Sequence, residues 1–522
     1  MGVDYDYSYS QNNVGTGMTT MKARFDTRLG AIEGIRDEDI HIFQGIRFGA
    51  ATAGNLRFQA AQLSGGWTGT FDASTAGNRS LQPVPTGNEL FAILSRRDVA
   101  SETYDEDCLF LNIYTPASAG KRPVMVWIHG GGFSTGSGSE HYGDVLAGQG
   151  DVVVVTINYR VGLLGFMDMS AFGDQYQGSG SNGIADQILA LEWVRENIGD
   201  YGGDAGNVTI FGCSAGGSSV NCLLAAPAAD SLYHKAISHS GTSPTTSPSD
   251  VAPLLAKQLK VATQELPAQL ASMTGPEIFQ AQLKLGARVG ACIDGTVVTR
   301  TRPEAFARSK SAGIPYIAGS NRDEGTAFSM LMPDDPNRGN DVFGPVATAS
   351  ARRVIEDEDP SDYLATLQQQ YPNDDPRTLY GHILTDSFRR ASIKNVEAAT
   401  TAGMGGWLYR FDVPSNAMDG KLGAAHGAEM SFTFNTYASK EGRGLVMHDR
   451  DDPEIQALAK AWSQTLINFA RSGNPNGGGL PQWQAYNETE RQSLVLDLPS
   501  YIVGAELDVQ NRTRWGDLSA IR

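Results

Sequence analysis

The chain has 522 residues, 41% hydrophobic and 19% charged, with 60 glycines and a formal net charge of −17. This composition excludes a highly charged disordered chain and a collagen-like repeat, and the acidic balance disfavours binding to a phosphate backbone. No apolar run approaches the roughly 18 residues of a membrane span, and the first residues show neither a basic start nor an apolar core. No membrane partner, secretory leader or nucleic-acid partner is therefore expected.

Residues 1–22, rich in Tyr, Asn, Ser and Gly, read as a loose tail, followed by a single domain over 23–522. Between Ala23 and Phe48 the apolar residues are interrupted by Leu29-Gly30 and Asp37-Glu38-Asp39, which predicts short antiparallel strands. Residues 80–107 are irregular and polar and suit a long surface loop. The centre differs. Val124–Ile128, Val152–Ile157 and Val208–Phe211 are continuous apolar runs rich in β-branched residues. Such runs suit strands buried on both faces of a mostly parallel sheet. Between the last two, Ile184, Ile188, Leu191, Val194 and Ile198 step by three or four, which predicts a helix from about Gly183 to Asn197. Strand, helix, strand in that order predicts an α/β fold. Ile314–Ala318 and Trp407–Phe411 read as further strands. Ile455, Leu458, Trp462, Leu466 and Phe469 share one face of a helix over Glu454–Arg471, which Gly473 and Pro475 end. Residues 250–310 and 340–400 are helical and polar and read as flanking segments, with 340–400 a candidate cap. Cysteines stand at 108, 213, 222 and 292 with no CxxC or Cys/His zinc spacing, and read as buried reduced thiols.

The sharpest chemical signal is Gly212-Cys213-Ser214-Ala215-Gly216, a G-x-S-x-G between the VTIF strand and a predicted helix over Gly217–Leu224. A nucleophile elbow requires that strand–turn–helix context, and the helix that follows aims its positive end at developing negative charge. The second signal is His129-Gly130-Gly131-Gly132 at the end of the VMVWI strand, where glycines let backbone N–H donors reach an oxyanion. A serine hydroxyl needs a histidine base, and the base needs a carboxylate to fix its tautomer. After Ser214 come His234, His239, His382, His426 and His448. His426 lies in a loop of small residues, Gly423 to Glu429, after the WLYRF strand, which is where a base could lean over a sheet edge. His382 and His448 read as structural. The acid belongs between Ser214 and His426, and Asn321-Arg322-Asp323-Glu324-Gly325 follows the IPYIA strand. Spacing alone does not choose between Asp323 and Glu324.

These segments together resemble the type-B carboxylesterase family, which includes the cholinesterases and the bacterial para-nitrobenzyl esterases. The resemblance runs from about 23 to 500. It also takes in Phe43-Gln44-Gly45-Ile46, Asn55-Leu56-Arg57-Phe58, Glu106-Asp107-Cys108-Leu109-Phe110-Leu111-Asn112, Asn158-Tyr159-Arg160-Val161-Gly162 and the NFARSGNP segment from Asn468 to Pro475. It implies an α/β-hydrolase fold, a central mostly parallel β-sheet flanked by helices, with helical insertions capping an active-site gorge. It implies Ser214 as nucleophile, Glu324 as acid and His426 as base, with an oxyanion hole from the N–H groups of Gly131, Gly132 and Ala215. Ser240 corresponds to the family's serine behind the triad, and Arg57 and Glu106 to a structural ion pair. Phe133 and Phe328 are expected in the substrate pocket.

The sequence also departs from the family. Cys213 stands where the family usually has Glu, which removes a carboxylate beside the nucleophile. The segment Arg79-Ser80-Leu81-Gln82 has no partner cysteine for Cys108, so four free thiols and a reducing, cytoplasmic compartment are expected. The 80–107 loop has no tryptophan to hold a quaternary ammonium, which argues against choline esters. The implied activity is hydrolysis of small-molecule carboxylic esters by a monomer or homodimer, with no metal or organic cofactor. A related acyl bond would use the same parts. A non-catalytic adhesion protein is the alternative from a different class, and dead relatives of that kind lack triad residues.

Overall fold

A computed structural model describes residues 21–84, 102–244, 250–287, 289–331, 344–356, 359–439 and 447–517. The expected tail, save Met21 and Lys22, and most of the 80–107 loop lie outside the described residues. Thirteen strands form one sheet among the described residues: β1 (Met21–Thr27), β2 (Gly30–Asp37), β3 (Ile40–Arg47), β4 (Thr70–Asp72), β5 (Phe110–Thr115), β6 (Arg122–Ile128), β7 (Val153–Ile157), β8 (Gly203–Cys213), β9 (Lys235–His239), β10 (Tyr316–Asn321), β11 (Gly406–Phe411), β12 (Ser493–Leu496) and β13 (Tyr501–Val503). The spatial order is β1-β2-β3-β5-β7-β6-β8-β9-β10-β11-β12-β13, with β4 on β2. From β7 through β12 every pairing is parallel, and the pairings among β1, β2, β3, β5 and β7 and between β12 and β13 are antiparallel.

Six helices matter below: α1 (Asn182–Asn197), α2 (Ala215–Ala225), α3 (Gly344–Ile355), α4 (Pro376–Thr401), α5 (Pro453–Ser472) and α6 (Val509–Arg514). The continuous apolar runs are buried on both faces because helices cover both. Val124, Val126 and Ile128 of β6 join the core that holds Ile184, Leu191 and Trp193 of α1. Met125 and Trp127, one residue out of phase, join the core that holds Ile455, Leu458, Trp462, Leu466 and Phe469 of α5. This is the period of two expected of a strand between two apolar layers. Asp452 caps α5 by accepting from the N–H groups of Glu454 and Ile455, and Gly473 ends it in the left-handed conformation.

The sheet is the α/β-hydrolase architecture expected. Two of the differences from the reading of the sequence lie beside the candidate site. The IPYIA strand is shifted and runs on to Asn321, into the candidate acid segment. Lys235–His239 is a fully buried strand that its mixed composition does not advertise. Parallel register aligns the carboxyl ends of β6, β8, β10 and β11 along one edge, where ligands bind in open α/β sheets. Among the described residues no helix is long and apolar enough to cross a membrane.

Candidate active site

Ser214 sits between the last residue of β8 and the first of α2 with φ 60° and ψ −123°. A residue with a Cβ reaches that conformation only under constraint. Here the constraint is backbone packing. A Cβ on Gly216 would lie 2.0 Å from the carbonyl oxygen of Ile128, and one on Gly212 would lie 2.5 Å from the backbone of Gly216. Both glycines are needed because the turn lies directly on β6. The Ser214 N–H donates to His239 O at 2.9 Å, and Ser214 O accepts from the Ser218 N–H at 2.8 Å.

The His129–Gly132 turn leaves β6 beside this elbow. A Cβ on Gly130 would come within 3.2 Å of Ser214 Cβ. His129 is part of the scaffold. Its ring stacks on Tyr159 at 4.2 Å, its carbonyl accepts from Tyr159 Oη at 2.9 Å, and burial pushes its pKa down to about 4. Gly131, at φ 109°, has its carbonyl turned to accept from the N–H groups of Ser134 and Thr135, each at 3.0 Å. The N–H groups of Gly131, Gly132 and Ala215 donate to no other described residue. They are the three donors named from the sequence.

Three residues after β10, Glu324 is fully buried and engaged through both oxygens. Oε1 accepts from Ser240 Oγ and from the Asn321 N–H, the latter at 2.7 Å, and Oε2 meets His426 Nδ1. The pairing occupies Nδ1 and leaves Nε2 as the imidazole nitrogen not engaged by the carboxylate. Burial opposes the charged form of His426, but the Glu324 carboxylate outweighs it and holds the pKa above its ordinary 6.5. Asp323 does something else. It is half-buried, pairs with Arg322 at 2.9 Å, and accepts from the Ala424 N–H at 2.8 Å while its own N–H donates to Ala424 O at 3.0 Å. Asp323 fastens the histidine loop, and Glu324 meets the histidine itself.

Two aromatic rings flank the imidazole. Phe328 lies 5.0 Å from it and Phe388, from α4, stacks at 4.7 Å and 29°. α4 is further tied to this region by Thr385 Oγ1, which accepts from the Gly325 N–H at 3.0 Å, and by Ser392 Oγ, which donates to Gly319 O at 3.0 Å. The sequence named Phe328 but not Phe388, since no local spacing links a helical phenylalanine to a loop 38 positions on. Phe133, the other expected pocket residue, packs on Phe166 at 4.9 Å.

Behind the triad candidates lies a buried polar group. Glu429 is fully buried; Oε2 accepts from Asn321 Nδ2 at 2.6 Å, and Oε1 has no partner among the described residues. Burial, with Glu324 nearby, pushes its pKa up to about 7. Cys213 is buried beside it, and burial together with Glu429 and Glu324 drives its thiol well above the ordinary range. His239 Nδ1 is 2.7 Å from Tyr409 Oη, and burial takes its pKa to about 3. The expected ion pair is present: Arg57 meets Glu106 at 2.5 and 2.7 Å and donates to the carbonyls of Leu270 and Met273. His382 pairs with Asp374, and His448 sits between Tyr437 Oη and Val413 O, both away from the site as expected. All four cysteines are buried and unpaired.

The carboxylesterase family matches residues 22–514. The para-nitrobenzyl esterase of Bacillus subtilis (strain 168) is 33% identical over 489 residues, covering 90% of this chain and 94% of that protein. Carboxylesterase 3 of Homo sapiens is 32% identical over 521 residues, covering 93% of this chain and 89% of that protein. Among solved structures, a carboxylesterase of Geobacillus stearothermophilus superposes with a TM-score of 0.80 at 30% identity, covering 94% of this chain and 99% of that one.

Proposed function

The chain belongs to the carboxylesterase family, and from that premise we propose that it hydrolyses carboxylic esters through an acyl-enzyme on Ser214. The single observation that carries the reading is the chain Ser240–Glu324–His426, beside the strained elbow that holds Ser214 at the carboxyl end of β8. Ser214 Oγ attacks the ester carbonyl as His426 Nε2 takes its proton. Glu324 holds Nδ1–H and stabilises the imidazolium. The oxyanion is received by the N–H groups of Gly131, Gly132 and Ala215, and each such donor is worth about 10²–10³ in rate. His426 then protonates the leaving alcohol. In the second half, His426 deprotonates water, which attacks the acyl carbonyl, and Ser214 is released with the carboxylic acid. Each step moves one proton through one imidazole, so the chain's own groups suffice.

Ser240 and Asn321 support the reading because they hold the carboxylate from the side opposite the imidazole. Cys213 in place of a carboxylate leaves no anion directly before the nucleophile, which favours neutral over cationic esters. The substrates are small-molecule esters, acted on by a single catalytic domain over 23–522.

The test is hydrolysis of para-nitrophenyl esters from acetate to decanoate by wild type and Ser214→Ala. Chain-length-dependent turnover, reduced by at least about 10⁴-fold in the variant, is the expected result. A folded wild type that neither turns over these esters nor takes a fluorophosphonate on Ser214 would overturn the reading.

A further inference from the structure

We propose that Asn321 is a positioning residue of the hydrolytic site, holding the loop of His426 in register with the loop of Glu324. The inference rests on the acyl-transfer reading above and deepens it. Asn321 is the last residue of β10, where it pairs in parallel register with Phe411 of β11, and its side chain is 1% exposed. Its backbone N–H donates to Glu324 Oε1 at 2.7 Å. Its amide nitrogen donates to Ala425 O at 2.6 Å and to Glu429 Oε2 at 2.6 Å. Ala425 immediately precedes His426, and Glu429 follows it by three positions. Both ends of the short turn that carries the imidazole therefore hang from one nitrogen, while the same residue's backbone holds the carboxylate that meets the imidazole.

The residue type is dictated by this arrangement. Only a primary amide presents two N–H donors on one short, neutral side chain. Aspartate would set oxygen against two oxygen acceptors. Leucine would match the shape and supply no donor. The amide cannot be turned over, since Oδ1 would then face Ala425 O and Glu429. Oδ1 has no partner among the described residues. The site keeps this side chain for its donors at the expense of an unsatisfied acceptor. Asp323 grips Ala424 from the next position but touches neither Glu324 nor His426 through its side chain, so the two latches are distinct.

The groups acting on the imidazole are Glu324 on the acid loop and Glu429 on the histidine turn; Cys213 at the elbow and Tyr409 on β11 lie near those two carboxylates, and His239 on β9 and Arg389 on α4 lie against Tyr409. Loosening the latch weakens the coupling of His426 to Glu324, which holds the imidazole pKa up. The acid limb of kcat/KM should then move to lower pH.

Wild type, Ser214→Ala and Asn321→Leu are assayed on one para-nitrophenyl ester, with active sites titrated by fluorophosphonate. For Asn321→Leu the expected result is a kcat per titrated site about 10- to 100-fold lower, KM within about twofold, and an acid limb displaced downward. A normal kcat per site with an unmoved limb, whatever the loss of titratable sites, would mean a purely structural residue and overturns the proposal. Should Asn321→Leu not fold, Glu429→Gln and Glu429→Leu replace it. Gln keeps an acceptor for the amide and should stay within about threefold of wild type, whereas Leu should lose about tenfold in kcat. Equal behaviour of the two overturns the proposal. Absence of Ser214-dependent turnover in wild type overturns the acyl-transfer reading, and the role of Asn321 with it.

Discussion

Adjacent carboxylates at 323 and 324 show how one peptide unit separates two jobs. Glu324 is sealed from solvent and spends both oxygens on Ser240, Asn321 and His426, whereas Asp323 turns outward to Arg322 and the backbone of Ala424. Glu324→Gln should lower kcat by about 10³–10⁴, because an amide no longer stabilises the imidazolium. Asp323→Asn keeps an acceptor for Ala424 and should cost less than about tenfold. The pH dependence follows with a definite sign. The base works as neutral imidazole, and its pKa in the fold lies above 6.5, so kcat/KM should fall as pH drops through that raised value. Removing the carboxylate should slide the limb downward in the variant. A Glu324→Gln enzyme with the wild-type limb and near-wild-type kcat would mean that another group orients His426.

At the level of elements, α4 brings a phenylalanine to the imidazole and a threonine to the acid loop, and a buried ionic clamp at the far end of the chain fixes α4. Arg514 of α6 makes two bonds of 2.6 Å to Asp386, and Arg389 meets Asp508 at 2.7 and 3.0 Å. Tyr363 Oη adds a bond of 2.8 Å to Asp386. Removing one partner of such a pair strands the other charge in the interior, so Arg514→Ala should destabilise the protein by about 3–5 kcal/mol. Denaturant unfolding measures this, and Arg514→Leu with Asp386→Leu should recover part of the loss. A single variant as stable as wild type would show that the clamp contributes little. None of this clamp is legible in the sequence, because its Arg–Asp partners lie more than 100 positions apart. What is legible has local causes: apolar runs for β6 and β7, three-and-four spacing for α1 and α5, and the glycines around Ser214. Lys235–His239 escaped because its polar residues find partners on distant segments: Lys235 on Asn207, Ser238 on Gly217 and Asn221 of α2, and His239 on Tyr409 of β11. Glu429, which the sequence shows only as the end of the histidine loop, is wholly enclosed behind the triad candidates. Its burial is set by β10 and the histidine loop together, and a single segment does not encode it.

Across the whole molecule, burial of histidines should make the fold sensitive to acid. His129 and His448 are held to pKa values of about 4 and His239 to about 3, all mainly by burial. Their unfolded value is about 6.5. The unfolded chain therefore binds more protons between those values, and stability contributed by their neutral forms is present above pH 6.5 and lost as pH falls toward 4. From pH 7 to pH 5 each histidine accounts for about 2 kcal/mol, at about 1.36 kcal/mol per pH unit. Glu429 opposes them. Its folded pKa of about 7 lies above the ordinary 4.5, so the native state takes up that proton first and gains about 2 kcal/mol over the same interval. His426, also raised, acts in the same direction as Glu429. The three histidines set against Glu429 leave a net loss of about 4 kcal/mol, which His426 reduces. With an unfolding entropy of about 2.1 cal/mol/K per residue, a chain of this length should lose up to about 4 °C in Tm. Calorimetry at pH 7 and pH 5 measures the loss. His448→Gln, which keeps a donor and an acceptor for Tyr437 and Val413, should recover about 2 °C of it. A Tm that does not fall between the two pH values, or a variant that falls as far as wild type, would show that buried imidazoles do not set the acid response of this fold.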